Sequence, residues 1–367
     1  MNRIHFMDSM RGVLMIAGIV LHSANIYHLD GNWVISDSEQ SQIFNWLTYF
    51  ISIFRMPAFF IISGYFCLFT YQKYGPETFL VRRLTQLCIP LITTTLTLNM
   101  LQNVILYYSE VASFADHPRG WAWGFLTTGA WISHLWFLTL LVIYVMIFGS
   151  LMPLIDKTPT STTEWIAKYF RTRKWLIYLI APFFLLAIKA IGYLHPDIFY
   201  RQFAGFSIMT LAHFSFYFAF GILLYRHENM IASLIKVPNI IAFTGYLLGM
   251  VLLTHINQES LLYKAAHTYL QYMFSIIITF FIWQIFKKFF NKENRFFTAL
   301  SKSCYSIYLF HHIIIIILGI LLMPVAISAF AKFTIISITA LIVSYSIHYY
   351  IIDRYLLFRF LFNGKQS

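Results

Sequence analysis

The sequence predicts an all-α polytopic membrane protein, and three observations support this fold class. Hydrophobic residues make up 59% of the 367 residues and charged residues only 11%, against about 25% charged residues in soluble proteins. Long apolar runs recur along the chain, each near the roughly 20 residues that a helix needs to cross a bilayer. These runs do not alternate polar with apolar residues, as the strands of a membrane barrel do. The composition therefore excludes a soluble enzyme, a disordered chain and an ordinary nucleic-acid-binding module.

The apolar runs predict about ten transmembrane helices in a single integral membrane domain, residues 1–367, with no soluble domain. Their approximate bounds are 12–29, 44–71, 86–108, 134–154, 175–192, 204–225, 239–256, 266–286, 304–323 and 333–352. We interpret the first as a retained helix rather than a signal peptide, because no convincing cleavage site follows it. The longest outer loop, 109–133, is rich in Trp and Gly and is a candidate lid.

The basic residues predict the orientation of the chain. If the N-terminus is cytoplasmic, 20 of the 26 Lys and Arg residues fall in inner segments and 4 in outer segments. Because inner loops carry the excess of positive charge, both termini are expected in the cytoplasm. The net charge of +12 is then mostly a consequence of topology. We therefore expect the lipid bilayer, and no nucleic acid, as a partner.

The first span carries polar residues where a membrane helix should have few: Asp8, Arg11, Gly18, His22 and Asn25. At 100° per residue, Arg11 and His22 differ by about 20° after three turns and lie about 16 Å apart along the axis. Arg11 alone is an ordinary membrane-surface anchor, and His22 alone a packing residue. Because the two residues share one face of the helix, together they predict a polar path from the inner surface to the middle of the membrane. A neutral imidazole there is suited to act as a general base.

The second span contains FRMPAFFIISGYF, residues 54–66. Pro57 is expected to break or kink the helix, because proline removes a backbone donor. Arg55 must face the bundle interior or an aqueous cavity. It predicts either a structural ion pair or a group that contacts substrate. The Ser63–Tyr65 segment, with its central Gly64, is typical of close helix packing.

Two further groups of polar residues stand out. Arg82 and Arg83 are membrane-surface anchors or ligands for a phosphate approaching from the cytoplasm. Histidines recur in or beside later spans, where each alone is an ordinary packing residue: His134, His213, His311, His312 and His348. Tyr305 and Tyr308 precede the His311–His312 pair.

The spacing of the remaining reactive residues argues against several other functions. The three cysteines show no ligand-like spacing, so we expect neither a metal site nor a disulfide scaffold. No carboxylate lies deep in a span, which weakens a proton- or sodium-coupled transporter. A transporter or flippase that acts without chemistry remains the alternative to an enzyme, together with a non-catalytic scaffold.

The motifs together resemble the membrane acyltransferase 3 family. The family's first span carries an Arg followed, after ten residues, by a His, and Arg11 and His22 match this motif. The resemblance continues through residues 54–66, the arginine-rich stretch 80–90 ending in IP, SHLWFL at 133–138, and the tyrosine- and histidine-rich segment 303–312. It covers nearly the whole chain in order and is densest over residues 8–140.

The resemblance implies which residues form the site. His22 and Arg11 match the essential pair and are the expected catalytic residues, and Arg82 and Arg83 are expected to bind the donor. Expected supporting residues are Asp8, Asn25, Arg55, His134, Tyr305 and His311. The sequence departs from the family at Gln86, where the second arginine of an Arg-x-x-Arg motif beginning at Arg83 is expected.

The resemblance also implies the activity, a transmembrane O-acyltransferase of the bacterial inner membrane. The donor would be cytoplasmic acyl-CoA, with succinyl-CoA as the expected substrate and no permanently bound cofactor. The acceptor would be a periplasmic glucan, which places the protein in osmoregulated periplasmic glucan biosynthesis by succinylation. O-acetylation of another cell-surface glycan is the alternative chemistry.

Overall fold

A computed structural model of the chain describes residues 5–30, 33–109, 129–203, 205–227 and 239–365. It confirms an all-α polytopic membrane protein. Nine helices in these ranges are long and apolar enough to cross a membrane. At the seventh predicted span the described residues form a shorter apolar helix, Asn239–Leu253, of 15 residues.

The α-helices in chain order are α1 (His5–Asn25), α2 (Gln42–Tyr74), α3 (Pro76–Thr94), α4 (Met100–Tyr108), α5 (Trp136–Lys157), α6 (Thr160–Thr172), α7 (Ile177–Leu194), α8 (Pro196–Phe199), α9 (Ile208–Arg226), α10 (Asn239–Leu253), α11 (Leu261–Phe289), α12 (Arg295–Leu322), α13 (Ala329–Ile347) and α14 (Leu356–Asn363). The π-helical turns Thr95–Asn99 and His348–Ile352 continue α3 and α13, and the 3₁₀ turns Ala130–Leu135 and Lys174–Leu176 precede α5 and α7. Strands β1 (Gln202–Phe203) and β2 (Phe206–Ser207) form an antiparallel pair, with Gln202 opposite Ser207 and Phe203 opposite Phe206.

Several helices extend beyond the predicted spans. Helix α1 begins at His5 and α12 at Arg295, whereas their apolar runs begin near residues 12 and 304. A hydropathy boundary stops at charged side chains, but helical hydrogen bonding continues through them into the interfacial region. We call the end of the bundle where α1 begins the inner end. Of the candidate lid 109–133, residues 110–128 lie outside the described part of the chain.

Helix α1 lies among four other helices of the bundle. It packs against α2, α11, α12 and α13. Met7, Met10 and Ile19 on its buried faces are at most 1% exposed. The polar residues Ser9 and Ser23 are buried with them, whereas Asp8, Arg11, His22 and Asn25 are partly exposed.

Helix α2 is not broken at Pro57, and it runs continuously from Gln42 to Tyr74. Proline has no N–H to donate to the carbonyl four residues earlier. Here the hydroxyl of Ser275, on α11, donates to the Ile53 carbonyl at 2.6 Å. A side chain from a neighbouring helix thus satisfies the group that Pro57 leaves unpaired, as happens in membrane helices.

Helices α2 and α9 pack with their backbones in direct contact. A Cβ atom added at Gly64 would overlap the Phe218 carbonyl oxygen, and one at Gly221 would overlap the Ile61 carbonyl oxygen. Small residues permit such approach between membrane helices. The interpretation of Gly64 as a helix-packing residue agrees with this contact.

The loop after α1 is tied to the outer end of α13. Asp37 and Lys332 form an ion pair of 2.9 Å with side chains only 1% and 4% exposed. The Asp37 amide also donates to the Ile26 carbonyl at 2.9 Å. These contacts fix the described part of the loop, including Trp33, over the outer end of α1.

Candidate active site

Four histidines from three separate segments meet near the outer part of the bundle. We define the histidine cluster as His22 on α1, His134 in the turn before α5, and His311 and His312 on α12. The His22 ring lies 5.4 Å from that of His311 and 5.1 Å from that of His312, measured between centroids. The rings of His134 and His312 stack at 4.5 Å.

The hydrogen bonds of His311 define which of its nitrogens is available. Its Nδ1 lies 2.9 Å from the Ile307 carbonyl oxygen and 2.8 Å from that of Tyr308. A carbonyl only accepts, so Nδ1 carries the proton. In the neutral ring Nε2 then has a lone pair, and no residue that the structure describes forms a hydrogen bond with this buried atom. His311 therefore presents an unused acceptor inside the cluster.

His22 differs from the other three members in its exposure. Its side chain is partly exposed, whereas His134, His311 and His312 are 7%, 0% and 2% exposed. Its buried Nδ1 also lacks a hydrogen-bond partner among the described residues. Within the described part of the chain, His22 is thus the least buried member of the cluster.

The aromatic ring of Trp33 flanks the cluster on its outer side. Trp33 stacks on His22 at 6.0 Å and meets His312 edge-on at 5.5 Å. Indole rings provide a rigid apolar surface with one polar atom at the edge. Trp33 therefore adds an apolar wall beside the most exposed histidine.

Polar residues of the third span position the cluster. Gln102 Oε1 lies 2.8 Å from His312 Nδ1. The side-chain amide of Asn99, at the end of the π-helical turn, donates to the Trp131 and Ile132 carbonyls at 3.0 and 2.8 Å. These two bonds hold the turn that carries His134. Ser133 in that turn has φ +51°, the one positive φ outside glycine in the described residues, which is a strained conformation.

Sequence reasoning missed Trp33, Asn99 and Gln102, and it noted the His311–His312 pair but expected a supporting role only for His311. A signal for the third span was present: Asn99, Gln102 and Asn103 recur at helical spacing inside an otherwise apolar run. Trp33 carried no such signal, because it lies in the loop after α1, where no helical spacing links it to His22.

A cavity of about 450 Å³ opens toward the inner end of the bundle. Five cationic side chains and no carboxylate line it among the described residues: Arg11, Arg82, Arg83, Lys302 and Lys365. Its deeper walls include Met15, Phe59, Leu138 and Tyr308. The cavity is therefore suited to hold an anionic group at its mouth and an apolar chain further in.

Arg82 and Arg83 both line this cavity but are held differently. Arg83 Nη2 donates to the Phe66 carbonyl at 2.7 Å and to the Thr70 hydroxyl at 2.6 Å. Arg82 is exposed and its guanidinium lies 4.4 Å from the centroid of the Tyr74 ring. Arg83 is the better positioned of the two, and Arg82 the freer to adapt to a ligand.

Tyr308 joins the cavity to the histidine cluster. It lines the cavity, and its hydroxyl donates to the His134 carbonyl at 2.8 Å. His134 Nε2 lies 3.2 Å from the Tyr308 carbonyl oxygen. The residues at the end of the cavity and the residues of the cluster are thus parts of one hydrogen-bonded unit.

Arg55 lies between Gly18 and this unit. Its Nε donates to the Leu14 carbonyl at 3.2 Å, and its guanidinium lies 5.9 Å from the Phe59 ring centroid. A Cβ atom at position 18 would overlap the guanidinium. The absence of a side chain at Gly18 is what admits Arg55 to the interior.

Three predicted supporting residues lie outside the cluster. The Tyr305 hydroxyl donates to the Gln86 carbonyl at 3.0 Å, which Pro90 leaves without an intrahelical donor. Asp8 accepts from the Ser301 hydroxyl at 3.1 Å and lies 3.9 Å from Arg11. Asn25 is the last residue of α1. Tyr305 thus has a structural role, whatever it also contributes to the lining of the cavity.

The remaining histidines of the later spans do not join the cluster. His213 contacts the ring of Tyr272 at 5.2 Å. His348 Nδ1 lies 2.8 Å from the Ser306 hydroxyl. The part of the chain that is described contains no group of three or more His, Cys, Asp or Glu side chains arranged to hold a metal ion.

Comparison with known proteins identifies the family. The chain matches the acyltransferase domain family, acyltransferase 3, over residues 4–349. It is 26% identical over 378 residues to glucans biosynthesis protein C of Salmonella paratyphi B (strain ATCC BAA-1250 / SPB7), an alignment that covers 99% of this chain and 95% of that protein. The proteins of the same name from Salmonella agona (strain SL483) and Salmonella dublin give the same identity and coverage.

No solved structure matches the chain. The family match nevertheless covers the nine long apolar helices up to residue 349, and it includes the histidine cluster and every cation of the cavity except Lys365. The chain therefore belongs to the acyltransferase 3 family and is a multi-pass membrane enzyme that transfers acyl groups.

Proposed function

We propose that the protein transfers an acyl group from cytoplasmic acyl-CoA to a hydroxyl of a periplasmic glucan across the bacterial inner membrane. The observation that carries this proposal is the cation-lined cavity that ends at Tyr308, which is hydrogen-bonded to His134 of the histidine cluster. Succinyl is the proposed acyl group, and glucan the proposed acceptor, because the relatives are glucans biosynthesis proteins.

The donor is proposed to enter from the inner end. Arg82, Arg83 and Lys302 would bind its phosphates, since guanidinium groups grip phosphate oxygens in pairs. Arg11, with its side chain 37% exposed beside Asp8, would hold the donor further along α1. The pantetheine arm then covers the distance of about 16 Å between Arg11 and His22.

The acceptor is proposed to reach His22 from the outer end. His22 takes the proton of the acceptor hydroxyl as its oxygen attacks the thioester carbonyl. The carbon–sulfur bond breaks, an ester bond forms, and the thiolate of CoA receives the proton from the imidazolium. His311 Nε2 and His134 Nδ1 are buried nitrogens without a hydrogen-bond partner in the described ranges, and they would orient the reacting hydroxyl or share its proton.

The test is acyl transfer in membranes supplied with labelled acyl-CoA and glucan. Replacing His22 with Ala should reduce labelling about 100-fold or more, the usual contribution of a general base. Arg11→Ala should reduce it mainly by weakening donor binding. His213→Ala, a histidine in another span and outside the cluster, is the matched control and should stay active.

Normal glucan labelling by both the His22→Ala and Arg11→Ala variants would contradict the proposal. Movement of unmodified glucan across the membrane without any acyl-CoA would instead favour a flippase. Label appearing from acetyl-CoA on a different glycan would keep the reaction class and change the substrates.

A further inference from the structure

Arg55 is a buried cation without a counter-ion in the described part of the chain. It is 7% exposed and lies in the middle of α2. Its one hydrogen bond to the described residues runs from Nε to the Leu14 carbonyl, and no carboxylate among these residues forms an ion pair with it. Buried charges in membrane proteins are normally paired or functional. The guanidinium therefore needs an anionic partner from elsewhere.

The residues around Arg55 place its guanidinium, and therefore the missing anionic partner, at the inner side of the proposed reaction site. Phe59, whose ring contacts the guanidinium, lines the deep part of the cavity. Cys304 and Tyr308, which also line it, are close enough to interact electrostatically with Arg55. The same holds for His22 and His311 of the cluster.

The free donors of Arg55 are those best suited to a carboxylate. With Nε occupied by Leu14, the two Nη groups remain, and they present parallel N–H bonds. A carboxylate accepts two such bonds side by side. Gly18 and Phe59 fix the plane of the guanidinium, so little freedom is lost when the ligand binds.

We propose that Arg55 binds the free carboxylate of a dicarboxylic acyl donor, of which succinyl-CoA is an example, and so selects it over neutral acyl donors. This inference rests on the proposed function, because it assumes that acyl-CoA enters the cavity. A neutral acyl group would leave the guanidinium buried and unpaired. Stabilisation of the oxyanion is the other use of this cation, and it would favour all thioesters equally.

The experiment measures equilibrium binding to the purified full chain in detergent. Succinyl-CoA is compared with butanoyl-CoA, which has the same number of acyl carbons but a methyl group in place of the carboxylate, and with CoA itself. The wild type should bind succinyl-CoA at least about ten-fold more tightly than butanoyl-CoA, as a charge-assisted pair predicts.

Arg55→Gln should abolish this preference and leave the affinity for CoA within about two-fold. Arg55→Lys should keep part of the preference, because it retains the charge but lacks the planar fork. Unchanged binding of CoA is the internal control for folding.

Equal wild-type affinities for succinyl-CoA and butanoyl-CoA would overturn the inference and leave the proposed acyl transfer intact. Loss of CoA binding in Arg55→Gln would also overturn it, since Arg55 would then be structural. Failure of the wild type to bind any of the three ligands would instead contradict the proposed donor. The wild-type comparison can therefore overturn the inference even if the variants do not accumulate.

Discussion

Tyr308 and His134 hold each other through two reciprocal contacts, hydroxyl to carbonyl at 2.8 Å and imidazole Nε2 to carbonyl at 3.2 Å. Residue 308 lines the cavity and residue 134 belongs to the histidine cluster. Because the two are bonded directly, a change at the cavity wall alters the position of the strained turn that carries His134. Catalysis is sensitive to displacements of this size.

Tyr308→Phe should therefore lower the rate of acyl transfer about five-fold, with a smaller effect on donor KM, because one buried hydrogen bond is worth roughly 1 kcal/mol. Steady-state kinetics with purified protein measures both constants. Tyr144→Phe removes a comparable hydroxyl, which donates to the Leu211 carbonyl at 2.6 Å away from the cavity lining, and should leave the rate unchanged. A rise in KM alone for Tyr308→Phe would contradict the positioning role.

Gly18→Ala should inactivate the enzyme while the protein still folds. The added methyl group would overlap the Arg55 guanidinium, which must move away from the cluster or strain α1. We expect a loss of activity of at least about ten-fold and a lowered melting temperature, since overpacking costs about 1–3 kcal/mol.

Gly245→Ala is the matched control for this substitution, because a Cβ there would meet only Met273 Cε at 3.8 Å. It should leave activity unchanged. Full activity of the Gly18→Ala variant would show that the close approach of Arg55 is not required.

Ser275→Ala should destabilise the bundle by about 1 kcal/mol, because it leaves the Ile53 carbonyl without a hydrogen-bond donor. In the Pro57→Ala background the effect should shrink, since the alanine N–H now pairs with that carbonyl inside α2. Unfolding of the wild type, the two single variants and the double variant in detergent measures the coupling energy between Ser275 and Pro57 directly. Ser215→Ala is the control, since its hydroxyl donates only to the Ala212 carbonyl of its own helix. Strict additivity of the two substitutions would disprove the compensation.

Stability should fall in acid through His227, which follows α9 outside the membrane spans. Burial lowers the pKa of its imidazole below 6.5, and this outweighs the opposing effect of Glu164, whose carboxylate lies 3.2 Å from Nδ1. Below pH 6.5 the unfolded chain takes up a proton that the folded protein resists. The free energy of unfolding therefore declines as the pH drops from that value toward the folded pKa and is constant above it.

His227→Gln should flatten this decline, which thermal unfolding across pH 4.5–7.5 would measure, a range set to bracket the pKa of about 6.5 of free histidine. His255→Gln, with an exposed side chain, should leave the slope as it is in the wild type. A steeper decline in His227→Gln would mean that the ion pair with Glu164 dominates instead.

The fold was predictable because one physical requirement sets it. Every backbone group in lipid must be satisfied within the chain, so apolar runs of sufficient length must be helices. What the runs do not specify is where each helix ends, as α1 and α12 show by extending into charged sequence. The continuity of α2 through Pro57 was also not predictable, because it depends on the hydrogen bond from Ser275 to Ile53, two residues 222 positions apart in sequence.

The site was predictable only where its residues share a helix. The face of α1 that carries Arg11 and His22 follows from helical geometry alone. Arg55 stands out in the sequence because a charged side chain inside a membrane span is energetically costly. The meeting of His22 with His134 and His311 depends on how α1, the turn before α5 and α12 pack. No periodicity within one segment contains that information.

The backbone contact between α2 and α9 at Gly64 and Gly221 bears on how a group crosses this membrane. In this contact each glycine lies directly against a backbone carbonyl of the other helix. Because these atoms are already at their closest approach, the two helices cannot tilt or slide past each other without losing the contact. A carrier that alternates between inward-open and outward-open conformations needs interfaces between its helices that can move. In this protein the close contact favours a scaffold that stays still, as the proposed transfer from a thioester at the inner end to an acceptor at the outer end would require.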